Sequence, residues 1–173
     1  MKAVVVVALC AWSFNGLCAE KAPDLAVRAT HINAKGLDWQ TSPHYPEDLQ
    51  RVMRWKMLIG GEAIPEPDVR FGVLEIAPHA IYPGHEHPSP ELYYVISGRA
   101  QWTVGEQTFT ADAGTAVYTP PNTLHRMVNL GDEVLRTIWF WWAPGGKRDV
   151  LESDSRLVEP VPQEPEHARF SGQ

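Results

Sequence analysis

Cysteine is scarce in this chain: among its 173 residues only Cys10 and Cys18 carry a thiol. Both lie near the N-terminus, so the sequence beyond them offers neither a disulfide nor a cysteine nucleophile. Positive charge is scarce as well, because 15 Lys and Arg stand against 21 Asp and Glu and the formal net charge is −6. Nucleic-acid binders usually carry a basic stripe and this sequence has none, so we exclude nucleic acid as a partner.

Long apolar runs are also missing, apart from a short one at the N-terminus. Lys2 precedes the uncharged residues 3–12, and the small-residue end Cys18-Ala19 follows. This order is typical of a secretory signal peptide over residues 1–19, and the run is too short for a bilayer, which takes ~20 residues. We therefore expect cleavage near Ala19 and a periplasmic or secreted protein that has no membrane contact afterwards. The alternative is a buried N-terminal strand, because residues 4–7 are all valine.

Few segments have apolar residues at the spacing of an α-helix, whereas residues that favour turns are frequent. The 15 prolines and 13 glycines favour short elements joined by tight turns. A short helix is predicted over 49–53, after the acidic pair Glu47-Asp48. The other apolar runs are bounded by Gly, Pro or Asn, which predicts an all-β sandwich or small barrel. The predicted strands are 54–59, 71–77, 92–96, 100–104, 107–110, 115–119, 126–130 and 134–142, with a type II′ turn at Gly105-Glu106.

The length fits a single domain. We divide the chain into a signal peptide (1–19), an N-terminal arm (20–61), a β-barrel domain (62–149) and a C-terminal tail (150–173). The tail is rich in Glu and Pro and poor in apolar residues, so we expect a flexible surface segment.

Four potential metal ligands lie within the predicted barrel. His85 and His87 are two residues apart, so an extended chain points both rings to one face. Glu91 follows a Pro-bounded bend, and His125 comes about thirty residues later. Three imidazoles and one carboxylate suit a divalent transition metal and leave positions open for water or substrate, as catalytic sites require.

These residues lie in two stretches that resemble the two sequence motifs of the cupin family. The stretches are His85-x-His87-x3-Glu91-x6-Gly98 and Gly114-x5-Pro120-x4-His125-x3-Asn129. The resemblance implies a single-domain jelly-roll β-barrel that holds one divalent metal, Fe²⁺, Mn²⁺, Ni²⁺ or Zn²⁺. Its implied ligands are His85, His87, Glu91 and His125. Family habit also implies a homodimer.

The sequence departs from the family pattern at two glycine positions. His79 stands at the first and Asn122 at the second, and Asn tolerates a left-handed backbone better than most residues do. Neither position is a ligand, and the complete ligand set favours an enzyme over a storage or binding module. The sequence leaves open whether Glu75 is exposed or buried. The histidines without motif context, which we expect at the surface or hydrogen-bonded, are His31, His44, His79 and His167.

Strand alternation places Tyr93 on the same face as Glu91. Because a nearby divalent cation favours a phenolate, Tyr93 is the predicted catalytic acid or base; the alternative is a tyrosine that fills the core. In the last predicted strand, either Trp139 and Trp141 or Phe140 and Trp142 point inward. The candidate substrate-binding residues are Tyr82, Tyr118, Met127, Trp139 and Trp141.

Within the cupins, the sequence is most similar to the group that contains dimethylsulfoniopropionate lyases. The similarity rests on Tyr82-Pro83-x-His85-x-His87, Glu91-x-Tyr93, Ser97-Gly98-x-Ala100-x-Trp102, and Gly131-Asp132-Glu133 leading to Trp139-x-Trp141. It implies β-elimination on a small carboxylate substrate, with Tyr93 taking the proton and an aromatic wall receiving the sulfonium. The alternatives are an iron-dependent dioxygenase, a sugar-acid isomerase or decarboxylase, and a non-enzymatic cupin that binds a small molecule.

Overall fold

A computed structural model describes residues 30–153, 155–162 and 168–170. Within that part of the chain, two five-stranded antiparallel sheets accompany one short α-helix and three short 3-10 helices. The helix α1 spans Glu47–Val52. The strands are β1 Met53–Ile59, β2 Val69–Ile76, β3 Ile81–Glu86, β4 Glu91–Ser97, β5 Arg99–Val104, β6 Gln107–Asp112, β7 Ala116–Thr119, β8 His125–Asn129, β9 Leu135–Trp142 and β10 Arg156–Leu157.

The two sheets bury one face each against the other. The first has the strand order β1-β2-β9-β4-β7, and the second has the order β10-β3-β8-β5-β6. In β4, buried and exposed residues alternate as predicted, with Tyr93 inside and Tyr94 outside. The core between the sheets includes Trp102, Met127 and Leu135. This architecture confirms the predicted all-β jelly-roll fold.

The turns explain how the chain accommodates its departures from the glycine pattern. Gly105 has a φ of +56° in the two-residue link between the paired residues Val104 and Gln107, as the first position of the predicted type II′ turn requires. His79 and Asn122 have φ values of +59° and +54°. Both positions therefore keep the left-handed backbone for which glycine is usually chosen.

The predicted helix and strands are confirmed, with shifts at their ends, and β3 is the long strand that was not predicted. The helix begins at Glu47, directly after Pro46, so its acidic residues occupy the first turn. The third strand contains Pro83 and Gly84, both poor strand formers, which hides it from a pattern of apolar residues.

The described part of the N-terminal arm, residues 30–61, is joined to the first sheet. Its strand β1 forms one edge of that sheet. Glu75, whose location the sequence left open, is buried and accepts hydrogen bonds from Arg54 and Arg136. The Arg54 guanidinium in turn lies 4.4 Å from the ring of Trp39 and 3.9 Å from that of Phe170. Arg54 thus connects Trp39 of the arm and Phe170 near the C-terminus to Glu75 of β2.

Part of the predicted C-terminal tail pairs with the second sheet. Its strand β10 pairs with β3, and the N–H groups of Val158 and Glu159 donate to the Gly84 carbonyl at 2.8 and 3.0 Å. The Glu159 carboxylate accepts a hydrogen bond from the Gly84 N–H at 2.8 Å. Backbone hydrogen bonds at a strand edge need no apolar side chains, so composition did not reveal this pairing.

The predicted signal peptide and His167 lie outside the described residues. No helix in the described ranges is long and apolar enough to cross a membrane. His31, His44 and His79 are exposed, as predicted, and His79 Nε2 lies 2.8 Å from Asp132 Oδ1.

Candidate metal centre

Four side chains from the two sheets converge on one point. His85 in β3 and His125 at the start of β8 are direct partners across the second sheet. Glu91 begins β4 of the first sheet, and His87 lies in the short link between β3 and β4. All four are buried, and their ligand atoms lie within 4.8 Å of one another. The structure therefore brings together the four residues that the sequence singles out.

The Glu91 carboxylate sits between two of the imidazoles. Its Oε2 lies 2.9 Å from His87 Nε2 and 3.2 Å from His125 Nε2. The third imidazole, that of His85, has its ring centroid 3.9 Å from that of His125. All four groups thus present their polar atoms to a common centre.

Backbone carbonyls fix the orientation of each ring. The Nδ1 atoms of the three histidines lie 2.9, 2.8 and 2.8 Å from the carbonyl oxygens of Pro83, Ser89 and Thr123. Each carbonyl belongs to the residue two positions from its histidine, and only an N–H can donate to it. With Nδ1 held by a carbonyl, Nε2 is the nitrogen that each ring has left for a metal ion, as in metal-binding histidines.

The donor set fits a metal ion. His125 Nε2 is buried and makes no hydrogen bond to any described residue, despite its short distance to Glu91. An unsatisfied buried polar atom costs about 1–3 kcal/mol, and a cation at the centre would remove that cost. Three imidazole nitrogens and a carboxylate oxygen suit a divalent transition metal. The cluster could therefore bind such an ion.

The electrostatics hold Glu91 and His85 in the protonation states that bind a cation. Burial by itself would raise the pKa of Glu91, but the contacts with His125 and His87 outweigh it and lower this pKa to about 2. Burial, reinforced by the neighbouring His125, lowers the pKa of His85 well below its usual value. Near neutral pH, Glu91 is therefore anionic and His85 is neutral.

A cavity of about 430 Å³, a size typical of small-molecule sites, reaches this cluster at Glu91. Its walls are the inner faces of β1, β2, β9 and β4, together with residues 41–45 of the N-terminal arm. Glu91 and Tyr93 both line it. Burial raises the pKa of Tyr93 well above its usual value, and the charge of Glu91 raises it further. Without a cation nearby, the phenol keeps its proton.

The structure sorts the predicted substrate-binding residues into two groups. Tyr82, Trp139 and Trp141 line the cavity, so Trp139 and Trp141 are the pair that points inward. Tyr118 does not lie where it was predicted. Thr119 pairs with Glu91 and faces inward, so the adjacent Tyr118 lies on the outer face of β7, where it is 53% exposed.

Met127 is a second correction. It lies on the inner face of β8, as predicted, but it is fully buried opposite Trp102 and does not line the cavity. Its side chain packs in the core with Trp102, its partner on the neighbouring strand β5.

Tyr45 and Arg70 are among the cavity residues that were not predicted. Tyr45 reaches over from the arm, and its hydroxyl lies 3.0 Å from that of Tyr82, whose ring stacks on His85 at 3.8 Å between centroids. Arg70 lines the cavity from β2. The position of Tyr45 depends on how the arm folds back, so the sequence gave no signal for it. Alternation places Arg70 on the same face of β2 as Gly72 and Leu74, and the pairing of β2 with β9 makes that face a wall of the cavity.

Comparisons with known proteins agree with this geometry. The cupin domain family model matches residues 72–141. Dimethylsulfoniopropionate lyase DddW of Ruegeria pomeroyi is 32% identical over 115 residues, covering 66% of this chain and 69% of DddW. Uncharacterized protein MJ1618 of Methanocaldococcus jannaschii is 30% identical over 91 residues, covering 49% of this chain and 73% of that protein. The chain belongs to the cupin family, as its two motifs predict.

Solved structures of DMSP lyases share the fold. A chain from the crystal structures of DMSP lyases RdDddP and RnDddQII superposes with a TM-score of 0.58 at 26% identity, over 70% of this chain and 62% of that one. The chain thus spans less than two thirds of the length of that structure. The protein is thus a cupin with DMSP lyases among its relatives, and it contains a four-residue cluster that could bind a metal ion.

Proposed function

We propose that this cupin is a metal-dependent lyase that performs β-elimination on a small carboxylate substrate such as dimethylsulfoniopropionate (DMSP). The observation that carries the proposal is the position of Tyr93, which is buried beside Glu91 and lines the cavity that reaches the cluster. A proton-transferring group is thereby placed within reach of any small molecule bound at the cluster. The relatives that are DMSP lyases support this substrate class.

The roles of the residues follow from their positions. A divalent cation held by His85, His87, Glu91 and His125 would act as a Lewis acid on a bound oxygen and would favour the phenolate of a nearby tyrosine. Tyr93 then takes a proton from the carbon next to the substrate carboxylate. The electrons of that C–H bond form a carbon–carbon double bond, and the bond from the β-carbon to sulfur breaks. With DMSP the products are dimethyl sulfide, which keeps the electron pair, acrylate and a proton.

The aromatic wall supplies a place for the sulfonium. Trp139 and Trp141 are consecutive inward residues of β9, and their ring centroids are 5.5 Å apart. The ring of Trp141 also lies 4.3 Å from that of His87, which places it at the edge of the cluster. Aromatic faces attract onium cations, so the two indoles would hold the leaving group next to the metal centre.

An iron-dependent dioxygenase is the main alternative. A wholly apolar cavity, in which Tyr93 serves only as a packing residue, would favour a dioxygenase. The cavity wall includes Ser42, Ser155 and Arg70 beside its apolar residues, so it is not wholly apolar. A cationic residue in the wall suits an anionic substrate and so supports the elimination.

The test compares Tyr93→Phe with Tyr118→Phe, which removes the same hydroxyl from an exposed ring outside the cavity. DMSP cleavage should fall about 10²–10⁴-fold in the first variant and stay at the wild-type rate in the second. Metal content, measured by mass spectrometry, should match the wild type in both. Full activity of Tyr93→Phe at equal metal content would exclude Tyr93 as the base.

A further inference from the structure

Arg70 is a cationic side chain on the inner face of the first sheet. In β2 it shares its strand parity with the buried residues Gly72 and Leu74, so alternation turns it toward the interior. Its side chain lines the cavity. Arginine seldom faces a protein interior without a partner, so its position calls for a ligand or a counter-charge.

The strand register places Arg70 in one row with the candidate metal centre. Arg70 pairs with Trp141 across β2 and β9, and Trp141 pairs with Glu91 across β9 and β4. Neighbouring strands are ~4.8 Å apart, so the backbones of Arg70 and Glu91 are separated by roughly 10 Å. Because both side chains line the cavity, a small organic acid would fit between them. The indole N–H of Trp141, in the middle of the row, is buried and has no hydrogen-bond partner among the described residues.

Only part of the Arg70 guanidinium is engaged. Its Nη1 donates to the carbonyl oxygens of Glu66 at 3.3 Å and Val69 at 2.9 Å, which hold the group in place. Over the described ranges, no carboxylate pairs with Arg70, and its Nε and Nη2 have no acceptor. The arginines that do pair with carboxylates are Arg51, Arg54, Arg99, Arg126, Arg136, Arg148 and Arg156.

We infer that Arg70 binds the carboxylate of the substrate and thereby selects anionic over neutral molecules. The guanidinium has N–H groups available for a carboxylate, and planar guanidinium groups bind carboxylates through paired hydrogen bonds. The Trp141 N–H offers a further donor along the same row. This inference rests on the proposed function, since it concerns the substrate of the same cavity, and it adds the residue that sets the substrate's charge.

The test measures binding rather than turnover. The full chain loaded with Zn²⁺ is titrated with propionate and with propionamide, its neutral isostere, and binding is followed by ligand-observed NMR. We expect the wild type to prefer propionate, and Arg70→Gln to lose about 10–100-fold in propionate affinity while its propionamide affinity stays unchanged. Arg70→Lys, which keeps the charge but not the planar fork, should fall between the two. Arg148→Gln is the matched control, because Arg148 is exposed, pairs with Asp68 and lies outside the cavity wall.

Three results would overturn the inference. One is wild-type propionate affinity in Arg70→Gln. Another is an equal loss of propionate and propionamide affinity, which indicates a structural role. The last is no measurable propionate binding by the wild type. Failure of the lyase function is distinguishable from all three: the wild type would leave DMSP intact yet keep a preference for propionate that depends on Arg70.

Discussion

Removal of one candidate ligand should abolish the stabilisation that a divalent cation gives the folded chain. His87 is the best target because it is buried, its Nδ1 lies 2.8 Å from the Ser89 carbonyl oxygen, and its Nε2 lies 2.9 Å from Glu91 Oε2. It also lies outside the strands, between the end of β3 at Glu86 and the start of β4. The change His87→Ala therefore removes a donor from the centre without removing a strand residue, and the variant should fold.

The size of the effect follows from the binding equilibrium. With free cation at 100 times its Kd, the free energy of unfolding of the wild type rises by about 2.7 kcal/mol. In a chain of this length, each kcal/mol raises the Tm by about 2–4 °C, so the expected rise is about 5–11 °C. Loss of a group that merely supports a ligand weakens metal affinity about 10–100-fold, and loss of the ligand itself should cost at least as much. In a variant with 100-fold weaker metal affinity, the free energy of unfolding would rise by only about 0.4 kcal/mol, and the Tm by about 1 °C.

The assay is calorimetric unfolding of metal-stripped protein, with and without added Zn²⁺ at one fixed free concentration. His31→Ala serves as the control, since it removes an exposed imidazole outside the cluster and should keep the full rise in Tm. If His87→Ala shows the same rise in Tm as the wild type, His87 is not a ligand.

Further predictions concern stability, processing and assembly. Glu75→Gln should lower the free energy of unfolding by about 3 kcal/mol, because it leaves two arginines without their buried partner; urea denaturation measures this, and an unchanged midpoint would contradict it. The metal-free protein should lose stability as the pH falls below 6.5, because the folded-state pKa of His85 is lowered and the unfolded chain takes up the proton first; the slope is up to about 1.4 kcal/mol per pH unit. Glu91 has a pKa of about 2 in the folded chain against an ordinary 4.5, so the protein loses further stability as the pH falls from 4.5 to about 2. Midpoints that stay constant from pH 7.5 to about 4.5 would refute the assignment of His85, and midpoints that stay constant from about 4.5 to 2 would refute that of Glu91. Mass spectrometry of protein exported from a bacterial host should find Glu20 as the first residue; an intact N-terminus would contradict the signal peptide. Sedimentation should give twice the mass of the chain, and the mass of a single chain would rule out the homodimer.

The candidate ligands were predictable because local sequence sets their positions. His85, His87 and Glu91 lie within seven residues, and a turn with a left-handed Asn122 precedes His125. Side chains whose position depends on the pairing of distant strands were harder to predict. The sequence could not tell whether Trp141 or Phe140 points inward until β9 was paired with β4, where Trp141 lies opposite Glu91.

The same reason accounts for the errors and omissions. Tyr118 was misplaced because the register of β7 against β4 was unknown. Arg70 became part of the cavity only when β2 lay beside β9. The order of the C-terminal segment depends on backbone pairing with β3, which composition does not encode. Sequence thus predicted the cluster and the fold class, whereas the walls of the cavity required the sheet topology.

The most direct test of the proposed function is dimethyl sulfide release from DMSP by the metal-loaded chain, measured by gas chromatography under nitrogen and under air. We expect equal rates in both atmospheres, with one acrylate formed for each dimethyl sulfide, since elimination consumes no oxidant. Turnover that requires O₂ would contradict the lyase and identify a dioxygenase. Failure to release dimethyl sulfide at full metal loading would exclude DMSP as the substrate.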